Sequence, residues 1–287
     1  MFFDKQGVAC DWSQKYKFFT NSCMLPHTNS SFTILDAVDS TNNYAMAKVH
    51  AGLAKQGDAF FSPYQINGKG QRGKVWLSGQ GQSIAISIVL EPHPLKIPQQ
   101  FHLSAAVSLA CFDFFRIYAG DETKIKWPND IYWRDRKAGG ILIENIIGNA
   151  SGKKELAAAD EKQTPKSIWK FAIAGIGINI NQTGFDTALK NPVSLKQITG
   201  KDFNITELAM ELQKSVLQRV DEVLAQPFEK LLKQYNHCLY KLNQSLQLKK
   251  GNIIFETVVK GVNENGQLFT ADRVDNFFDF GEIEWLL

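Results

Sequence analysis

The sequence predicts an α+β protein, in which a body of about 210 residues precedes a small β-barrel-like tail of about 45. Helical and strand-like periodicities are interspersed between residues 32 and 241, whereas residues 242–287 contain strands and tight turns throughout. Residues 1–31 show no clear periodicity and are interpreted as an N-terminal extension. A chain of 287 residues is long enough to bury a complete core.

The body is expected to begin with a short strand over 32–38. A helix follows, which the segment Asp39-Ser40-Thr41 caps and which runs to about residue 55 and is closed by Gly57. The segments DAFFSPYQ and SIAISIVL predict two strands, the second with isoleucine alternating against serine and alanine. A phenylalanine-rich amphipathic pattern then predicts a helix over 98–119.

The second half of the body is predicted to continue the sheet. Its strands are expected at 123–127, 130–133, 140–147 and 168–180. The polar stretch 148–167 would be a mobile insertion between two strands that otherwise pair as a hairpin. Two helices complete the body, one capped by Asn204 and one over 227–240, and an Asn-Gly pair at residue 265 predicts a hairpin in the tail.

Composition excludes several classes of protein. The net charge is only +3, with 32 basic and 29 acidic residues spread along the chain, so a nucleic-acid-binding face is not expected. The chain shows neither a signal peptide nor an apolar run long enough to cross a membrane. Its four dispersed cysteines, at positions 10, 23, 111 and 238, predict reduced thiols in a cytoplasmic protein without a zinc site.

The segment GKGQRG at 68–73 fits the GxGxxG pattern of dinucleotide-binding folds. That interpretation fails because KVWLSGQGQ follows, with two further glycines where a helix should begin. A P-loop is also excluded, because no serine or threonine follows a Gly-Lys pair. The remaining hypotheses are a loop whose amides, with Lys69, Arg72 and Lys74, close around an anion, or a solvated hairpin loop.

Basic residues are set among aromatic and apolar ones in KWPNDIYWRDRKAGGILIE, residues 126–144. WPND alone is typical of a turn. Lys137, however, precedes two glycines and an apolar strand, which predicts an ammonium at the lip of a sheet. Opposite unit charges about 4 Å apart attract by about 4 kcal/mol at an effective dielectric of 20, enough to stabilise a phosphate. The alternative is a lysine in a solvated turn.

Gly175 and Gly177 lie on one face of the strand in AGIGININ, which indicates that a flat ligand or another backbone packs there, unless this is an edge strand. Asn179 has the paired donor and acceptor that an adenine edge requires. Trp76 is either a stacking platform for a purine or a core residue. The chain has no GxSxG motif and no evident histidine–carboxylate pair, so nucleophilic and histidine-based catalysis are not expected.

In their order along residues 32–287, the segments DSTNNYA, YQINGKGQRGKVW, KWPNDIYWRDRKAGGILIE, GIGININ and FGEIEW resemble the biotin protein ligase family, also called biotin–acetyl-CoA-carboxylase ligases. The resemblance implies a mixed β-sheet flanked by helices, of the class II synthetase-like type, followed by an SH3-like domain. It also implies that biotin and ATP form biotinyl-5′-AMP, which then biotinylates a lysine of a biotin carboxyl carrier domain.

The resemblance further implies the roles of individual residues. Biotin binding falls to Ser40, Thr41, Asn42, Gln65, Gly68, Lys69, Gly70, Gln71 and Lys137. Binding of ATP or the adenylate falls to Lys69, Arg72, Trp76, Lys126, Asn129, Gly175, Gly177 and Asn179. Lys137 would contact both the biotin carboxylate and the α-phosphate, and Asp130 would hold Mg²⁺ or orient the lysines. The implied ligands are ATP, Mg²⁺ and biotin, with no prosthetic group, and the protein is a candidate homodimer.

Two departures from the family pattern concern the loop and the N-terminus. The loop commonly reads GRGRRG, so Lys69 and Gln71 predict a looser clamp unless Arg72 compensates. Thirty-one residues, or fewer if Met24 is the start, are too short for a winged helix-turn-helix, so a ligase without DNA binding is expected. The rival hypotheses are a lipoate or octanoyl transferase, for which Cys111 is poorly placed, and a non-catalytic biotin or nucleotide sensor.

Overall fold

The structure is a computed structural model that describes residues 30–149 and 167–286. The helices in these ranges are α1 (Thr41–His50), α2 (Gln100–Ala119), α3 (Leu195–Thr199), α4 (Ile205–Ala225) and α5 (Phe228–His237). The strands are β1 (Phe32–Ile34), β2 (Ala59–Phe61), β3 (Gly68–Lys69), β4 (Val75–Trp76), β5 (Ser83–Leu90), β6 (Thr123–Lys126), β7 (Asp130–Trp133), β8 (Arg136–Asn149), β9 (Ser167–Asn179), β10 (Ser245–Lys250), β11 (Ile253–Val262), β12 (Leu268–Ala271), β13 (Asp275–Phe278) and β14 (Glu284–Leu286).

A seven-stranded mixed sheet forms the body, in the order β1-β2-β5-β9-β8-β7-β6. The β1–β2 pair is parallel and the other pairs are antiparallel. Strands β8 and β9 pair from Gly139 opposite Ile178 to Asn149 opposite Ser167, so the predicted hairpin is confirmed. Residues 150–166, nearly all of the predicted polar insertion, lie outside the described ranges. The predicted mixed sheet flanked by helices is therefore confirmed.

Helices cover both faces of the sheet. The isoleucines of β5 belong to a core shared with the apolar faces of α2 and α4, and Val89 packs on the other face with Ala45 and Val49 of α1. All eight residues of β5 are consequently buried, although their alternation is typical of a strand with one solvated face. Ser87 of β5 is buried on the α1 side, where its hydroxyl meets Thr41 and Asn42 of that helix in the cavity described below.

Several predicted boundaries were wrong at the ends of elements. The first strand ends at Ile34, and α1 ends at His50, where Ala51 takes the C-cap position and Gly52 turns the chain with a φ of 69°. DAFFSPYQ contributes only three strand residues, and α5 ends at His237. By contrast, Asn204 caps α4 as predicted, because its side chain accepts from the N–H groups of Thr206 and Glu207.

The C-terminal part of the chain forms a five-stranded antiparallel sheet in the order β13-β12-β11-β10-β14. It is barrel-like but open, since β13 and β14 are its two edges. Gly266, with a φ of 85°, turns the chain between β11 and β12, which confirms the predicted hairpin. The indole N–H of Trp127 donates to the Gly266 carbonyl at 2.9 Å and so ties this sheet to the body. The domain limits 32–241 and 242–287 stay predictions.

Across residues 30–149 and 167–286, no helix combines the length and the apolar character that a membrane span requires.

Candidate active site

A cavity of about 780 Å³ opens where the central strands, the 68–76 segment and the C-terminal sheet meet. Among its lining residues are almost all those singled out from the sequence: Ser40, Thr41, Asn42, Gln65, Lys69, Gly70, Gln71, Arg72, Trp76, Lys126, Asn129, Asp130, Lys137, Gly175, Gly177 and Asn179. Gly68 is the exception. A Cβ atom there would lie 2.4 Å from the Trp76 carbonyl oxygen and 2.9 Å from the Gln65 amide nitrogen, so this glycine makes room behind the wall.

The N-terminus of α1 presents a buried polar network to the cavity. Gln65 Oε1 accepts from the Thr41 N–H at 2.8 Å and from the Thr41 hydroxyl at 3.0 Å, so Gln65 satisfies helix donors that Ser40 leaves without a side-chain cap. The Ser87 hydroxyl lies 2.8 Å from Thr41 Oγ1 and 2.5 Å from Asn42 Oδ1. This network fixes neutral donors and acceptors at one end of the cavity before any ligand arrives.

The two glycines of β9 make room for side chains. A Cβ atom on Gly175 would lie 2.2 Å from Asn42 Oδ1, and one on Gly177 would lie 2.5 Å from the Trp76 ring. The edge-strand alternative was wrong, since β9 lies between β5 and β8 in the middle of the sheet. The groups packed on these glycines in the structure are an amide and an indole. Asn179, further along the strand, is buried and donates to the Val193 carbonyl at 3.1 Å.

The glycine-rich segment folds as the short β3–β4 hairpin with a 3₁₀ turn over Gln71–Gly73. A two-residue strand follows the glycines, which confirms that this is not a dinucleotide-binding loop. Lys69 Nζ lies 3.4 Å from Glu144 Oε1, and Gln71 Nε2 donates to the Ile141 carbonyl at 3.3 Å, so the hairpin lies over β8. Arg72 has a φ of 57° and donates to the Gly281 carbonyl at 3.3 Å.

Lys137 and Asp130 form an ion pair inside the cavity, with 2.7 Å between Nζ and Oδ1. The prediction that the strand begins after Lys137 was wrong, because β8 starts at Arg136 and Lys137 already pairs with Tyr132 of β7. The solvated-turn alternative is excluded with it. Gly140 stands opposite the pair, where a Cβ atom would lie 3.3 Å from Asp130 Oδ1 and 3.4 Å from Lys137 Nζ. The glycine therefore keeps this side of the ion pair open.

Lys126 lies deeper, with its ammonium 5.1 Å from the centroid of the Tyr132 ring and 5.5 Å from that of Trp285. The pKa of Lys126 is lowered to about 8, chiefly by burial; the positive charges of Lys137, Lys74 and Lys190 contribute to this shift and Asp130 opposes it. Several lysines thus converge on one region of the cavity, where Asp130 and Glu284 are the acidic residues that the structure places on the lining. Such a region favours a polyanionic ligand.

Asn129 supports the same wall, because its Nδ2 donates to the Ile141 carbonyl at 2.7 Å. Asp130, the predicted Mg²⁺ ligand, is engaged by Lys137. In the described part of the chain, no three His, Cys, Asp or Glu side chains group as a metal centre requires. The Mg²⁺ role of Asp130 stays a prediction, and a divalent ion that enters with a nucleotide needs fewer protein ligands.

One further wall of the cavity, besides the α1 end and the lysine-rich side, was not identified from the sequence. It comprises Trp127, Tyr132, Phe185, Leu189 and Lys190 together with the C-terminal residues Phe280, Gly281, Ile283, Glu284 and Trp285. The Phe280 ring meets the Trp127 ring edge to face at 6.4 Å. FGEIEW contributed to the family resemblance, yet no local pattern could place it beside KWPND.

Comparison with known proteins agrees with this architecture. Residues 34–156 match the model of the Biotin/lipoate A/B protein ligase family. The bifunctional ligase/repressor BirA of Escherichia coli K12 is 36% identical over 116 residues, which cover 40% of this chain and 35% of that protein. The chain therefore aligns with only about a third of the first curated relatives that it matches.

Other relatives match over more of their length. The biotin–[acetyl-CoA-carboxylase] ligase of Paracoccus denitrificans is 24% identical over 242 residues, which cover 82% of this chain and 92% of that protein. The structure of biotin protein ligase from Aquifex aeolicus in complex with biotin and ATP superposes with a TM-score of 0.70 at 22% identity. The superposition covers 89% of this chain and 98% of the other, and it establishes a shared fold.

Proposed function

The chain carries a domain of the biotin/lipoate A/B protein ligase family, and on this premise we propose that it is an ATP-dependent biotin protein ligase. It would attach biotin to one lysine of a biotin carboxyl carrier domain through biotinyl-5′-AMP. The relatives named above as biotin ligases support the substrates in this proposal. A cytoplasmic location belongs to the proposal as well, and the free thiols of Cys111 and Cys238 support it.

One observation carries the proposal: a neutral, hydrogen-bonded pocket adjoins a cluster of lysines within a single cavity. Biotin has a neutral ureido ring at one end and a carboxylate at the other. The network of Thr41, Asn42 and Gln65 offers amide and hydroxyl groups suited to the ring. Lys137 and Lys126 offer cations suited to the carboxylate and the phosphates.

In the first step, a carboxylate oxygen of biotin attacks the α-phosphorus of ATP. A P–O bond to biotin forms, the P–O bond to pyrophosphate breaks, and pyrophosphate leaves. Both reactants are anions that repel each other, so the protein's task is to position them and to neutralise charge. We assign Lys137 to bridge the carboxylate and the α-phosphate. The ion pair with Asp130 orients its ammonium.

In the second step, the neutral ε-amine of the carrier lysine attacks the acyl carbon of the mixed anhydride. The new C–N bond replaces the C–O bond to AMP, AMP leaves, and the nitrogen loses a proton to solvent. Until then water must be kept away from the anhydride. The β3–β4 hairpin lies over β8 through Lys69 and Gln71, and we assign it the role of cover.

The cysteines argue against an acyl-enzyme route, the rival suggested by the lipoate branch of the family. Cys111 is fully buried, and burial raises the pKa of its thiol. Burial also raises the pKa of Cys238 to about 11. Neither side chain lines the cavity. Both thiols in the described ranges would be protonated at neutral pH and distant from the acyl group, so they are poor acyl acceptors.

The test is to incubate the protein with Mg-ATP, biotin and a carrier domain, and to measure pyrophosphate release and the intact mass of the carrier. We expect pyrophosphate only when biotin is present, and one added biotinyl group on the carrier. Replacing biotin with lipoate or octanoate should abolish both signals. Labelling by lipoate would favour the transferase, whereas ligand binding without pyrophosphate release would favour a sensor and contradict the proposal.

A further inference from the structure

The two lysines of the cavity are held in different ways. Lys137 Nζ is 2.7 Å from a carboxylate oxygen of Asp130, whereas Lys126 Nζ lies over the ring faces of Tyr132 and Trp285 and 3.4 Å from the Tyr132 hydroxyl. A ring face attracts a cation without occupying its N–H donors. Apart from the donor that the Tyr132 hydroxyl accepts, the N–H groups of Lys126 are therefore directed to oxygen atoms of a ligand in the cavity.

Trp285 is fixed by the C-terminal sheet. Its strand, β14, pairs with β10, where Leu248 stands opposite Trp285. The indole is only 9% exposed, and its centroid lies 6.0 Å from that of Tyr240, which in turn lies 5.1 Å from that of Tyr132. The Lys126 ammonium lies over the rings of Tyr132 and Trp285, and Tyr240 packs against both; of the two rings under the ammonium, only Trp285 comes from the C-terminal sheet.

The same C-terminal segment meets other cations of the cavity. The Gly281 carbonyl accepts from Arg72 at 3.3 Å, and a Glu284 carboxylate oxygen lies 3.7 Å from Lys190 Nζ. The segment thus contacts the glycine-rich hairpin, the 181–194 connection and β6 at once. The C-terminal segment therefore contacts three cationic side chains of the cavity, Arg72, Lys126 and Lys190. These contacts are in addition to the apolar packing that joins the C-terminal sheet to the body.

We infer that Trp285 is a positioning residue for the nucleotide: its indole face, together with that of Tyr132, holds the Lys126 ammonium where phosphate oxygens meet it. The inference rests on the proposed function, since ATP is taken as the ligand. Trp285 acts through Lys126 and does not itself contact the reacting atoms. Its loss should therefore weaken the use of ATP and leave the binding of biotin unchanged.

The experiment compares Trp285→Leu, Trp285→Phe, Lys126→Met and the double variant Trp285→Leu/Lys126→Met. The matched control is Phe278→Leu, which removes a buried ring of the same sheet that lies 5.4 Å from Lys250 Nζ, outside the cavity. For each protein, KM for Mg-ATP, KM for biotin and kcat are measured by biotin-dependent pyrophosphate release. Affinity for Mg-ATP is measured by calorimetry, and Tm by circular dichroism.

We expect Trp285→Leu to raise KM for Mg-ATP about tenfold at unchanged KM for biotin, and Trp285→Phe to stay within about threefold of the unmodified protein. The double variant should bind Mg-ATP no more weakly than Lys126→Met, because the two residues act as a unit. Effects that multiply in the double variant, or an equal loss in Phe278→Leu, would overturn the inference.

The outcomes separate this inference from the proposed function. If the unmodified protein binds Mg-ATP but releases no pyrophosphate with biotin, the proposed function fails, and the calorimetric comparison of the four variants still decides the role of Trp285. If the unmodified protein does not bind Mg-ATP, both are wrong. If the unmodified protein releases pyrophosphate only with biotin and Trp285→Leu changes only Tm, the proposed function stands and the positioning role of Trp285 is refuted.

Discussion

The two ends of the cavity are built on opposite electrostatic principles. At the α1 end, Thr41, Asn42 and Gln65 are neutral, and hydrogen bonds among buried groups fix them. At the opposite end, Lys126 and Lys137 are charged, and ring faces and one carboxylate hold them. The first end is held by hydrogen bonds between α1, Gln65 and β5 within the body, whereas at the second end Trp285 of the C-terminal sheet helps to hold Lys126. Substitutions at the two ends should therefore separate biotin from ATP.

The largest effect is expected at Lys137, which we place between the two reacting groups. Lys137→Ala should lower the rate of biotin-dependent pyrophosphate release about 10²–10³-fold, because charge at the α-phosphate would no longer be neutralised. Single-turnover formation of biotinyl-5′-AMP measures the step directly. Lys241→Ala is the matched control, since Lys241 forms a similar 2.9 Å pair with Asp135 away from the cavity. Wild-type rates in Lys137→Ala would refute its assignment.

A smaller effect, on the binding of both biotin and ATP, is expected on substitution of Gly177. Gly177→Ala would place a Cβ atom 2.5 Å from the Trp76 ring, so the indole must move from the strand. Such overpacking costs about 1–3 kcal/mol, and we expect a lower Tm together with higher KM values for biotin and ATP. Gly184→Ala is the control, because nothing lies within 4 Å of a Cβ atom at that position. Equal behaviour of the two variants would contradict the packing role of Gly177.

At the neutral end, Asn42→Ala removes one amide of the buried network. Asn42 Nδ2 donates to Glu144 Oε2 at 2.8 Å, and its Oδ1 lies 2.5 Å from the Ser87 hydroxyl. Losing these hydrogen bonds costs about 1–3 kcal/mol, so Tm should fall and the affinity for biotin should drop about tenfold. Calorimetric titration with biotin and, separately, with Mg-ATP checks the prediction. A loss of ATP affinity as large as that for biotin would break the division of the cavity into two ends.

The smallest effect is a pH dependence confined to the charged end. Lys126 has a pKa of about 8, below its ordinary value because of burial, and the protonated form is the one that attracts phosphate. The protonated fraction falls about fourfold between pH 7 and pH 8.5, so KM for Mg-ATP should rise by about that factor. KM for biotin should change less. In Lys126→Met, the rise should vanish, and its persistence would assign the titration to another group.

The same pKa fixes the sign of a stability effect. Lys126 is more readily deprotonated in the folded state than in the unfolded chain, since burial depresses its pKa from the ordinary value of 10.5 to about 8. Keeping it charged therefore costs folding free energy at neutral pH, and this cost diminishes as pH rises through 8 toward 10.5. Lys126→Met should consequently raise Tm at pH 7 while it weakens ATP use. If the Tm of Lys126→Met at pH 7 is unchanged or lower, the conclusion that burial of the Lys126 ammonium destabilises the folded protein is wrong.

The sequence correctly predicted structural features that depend only on residues close together in the chain. The alternation of β5, the cap at Asn204 and the turn at Gly266 each depend on neighbouring residues, and the structure confirms them. The residues assigned to the site came from the resemblance to biotin protein ligases, which depends on the order of motifs in several segments. Their convergence on one cavity is a property of the sheet order, which no single motif contains.

The errors have a common cause in tertiary contact. Lys137 was predicted outside the strand because two glycines follow it, yet β7 pairs with this region and extends β8 to Arg136. The glycines of β9 predicted a flat ligand or another backbone against the strand, whereas the groups that the fold places there are the side chains of Asn42 and Trp76. The C-terminal wall was missed because the approach of Phe280 to Trp127 depends on docking of one sheet against another.

The position of Trp285 on a three-residue edge strand has a consequence for heat sensitivity. Edge strands with a single hydrogen-bonded neighbour fray at lower free energy than the centre of a sheet, so the C-terminal margin should open locally while the rest of the chain stays folded. Warming would then displace Trp285 from Lys126 and weaken phosphate binding at temperatures below that of global unfolding. The affinity for nucleotide is expected to decline several degrees below the unfolding transition. The affinity for biotin should persist until the protein unfolds.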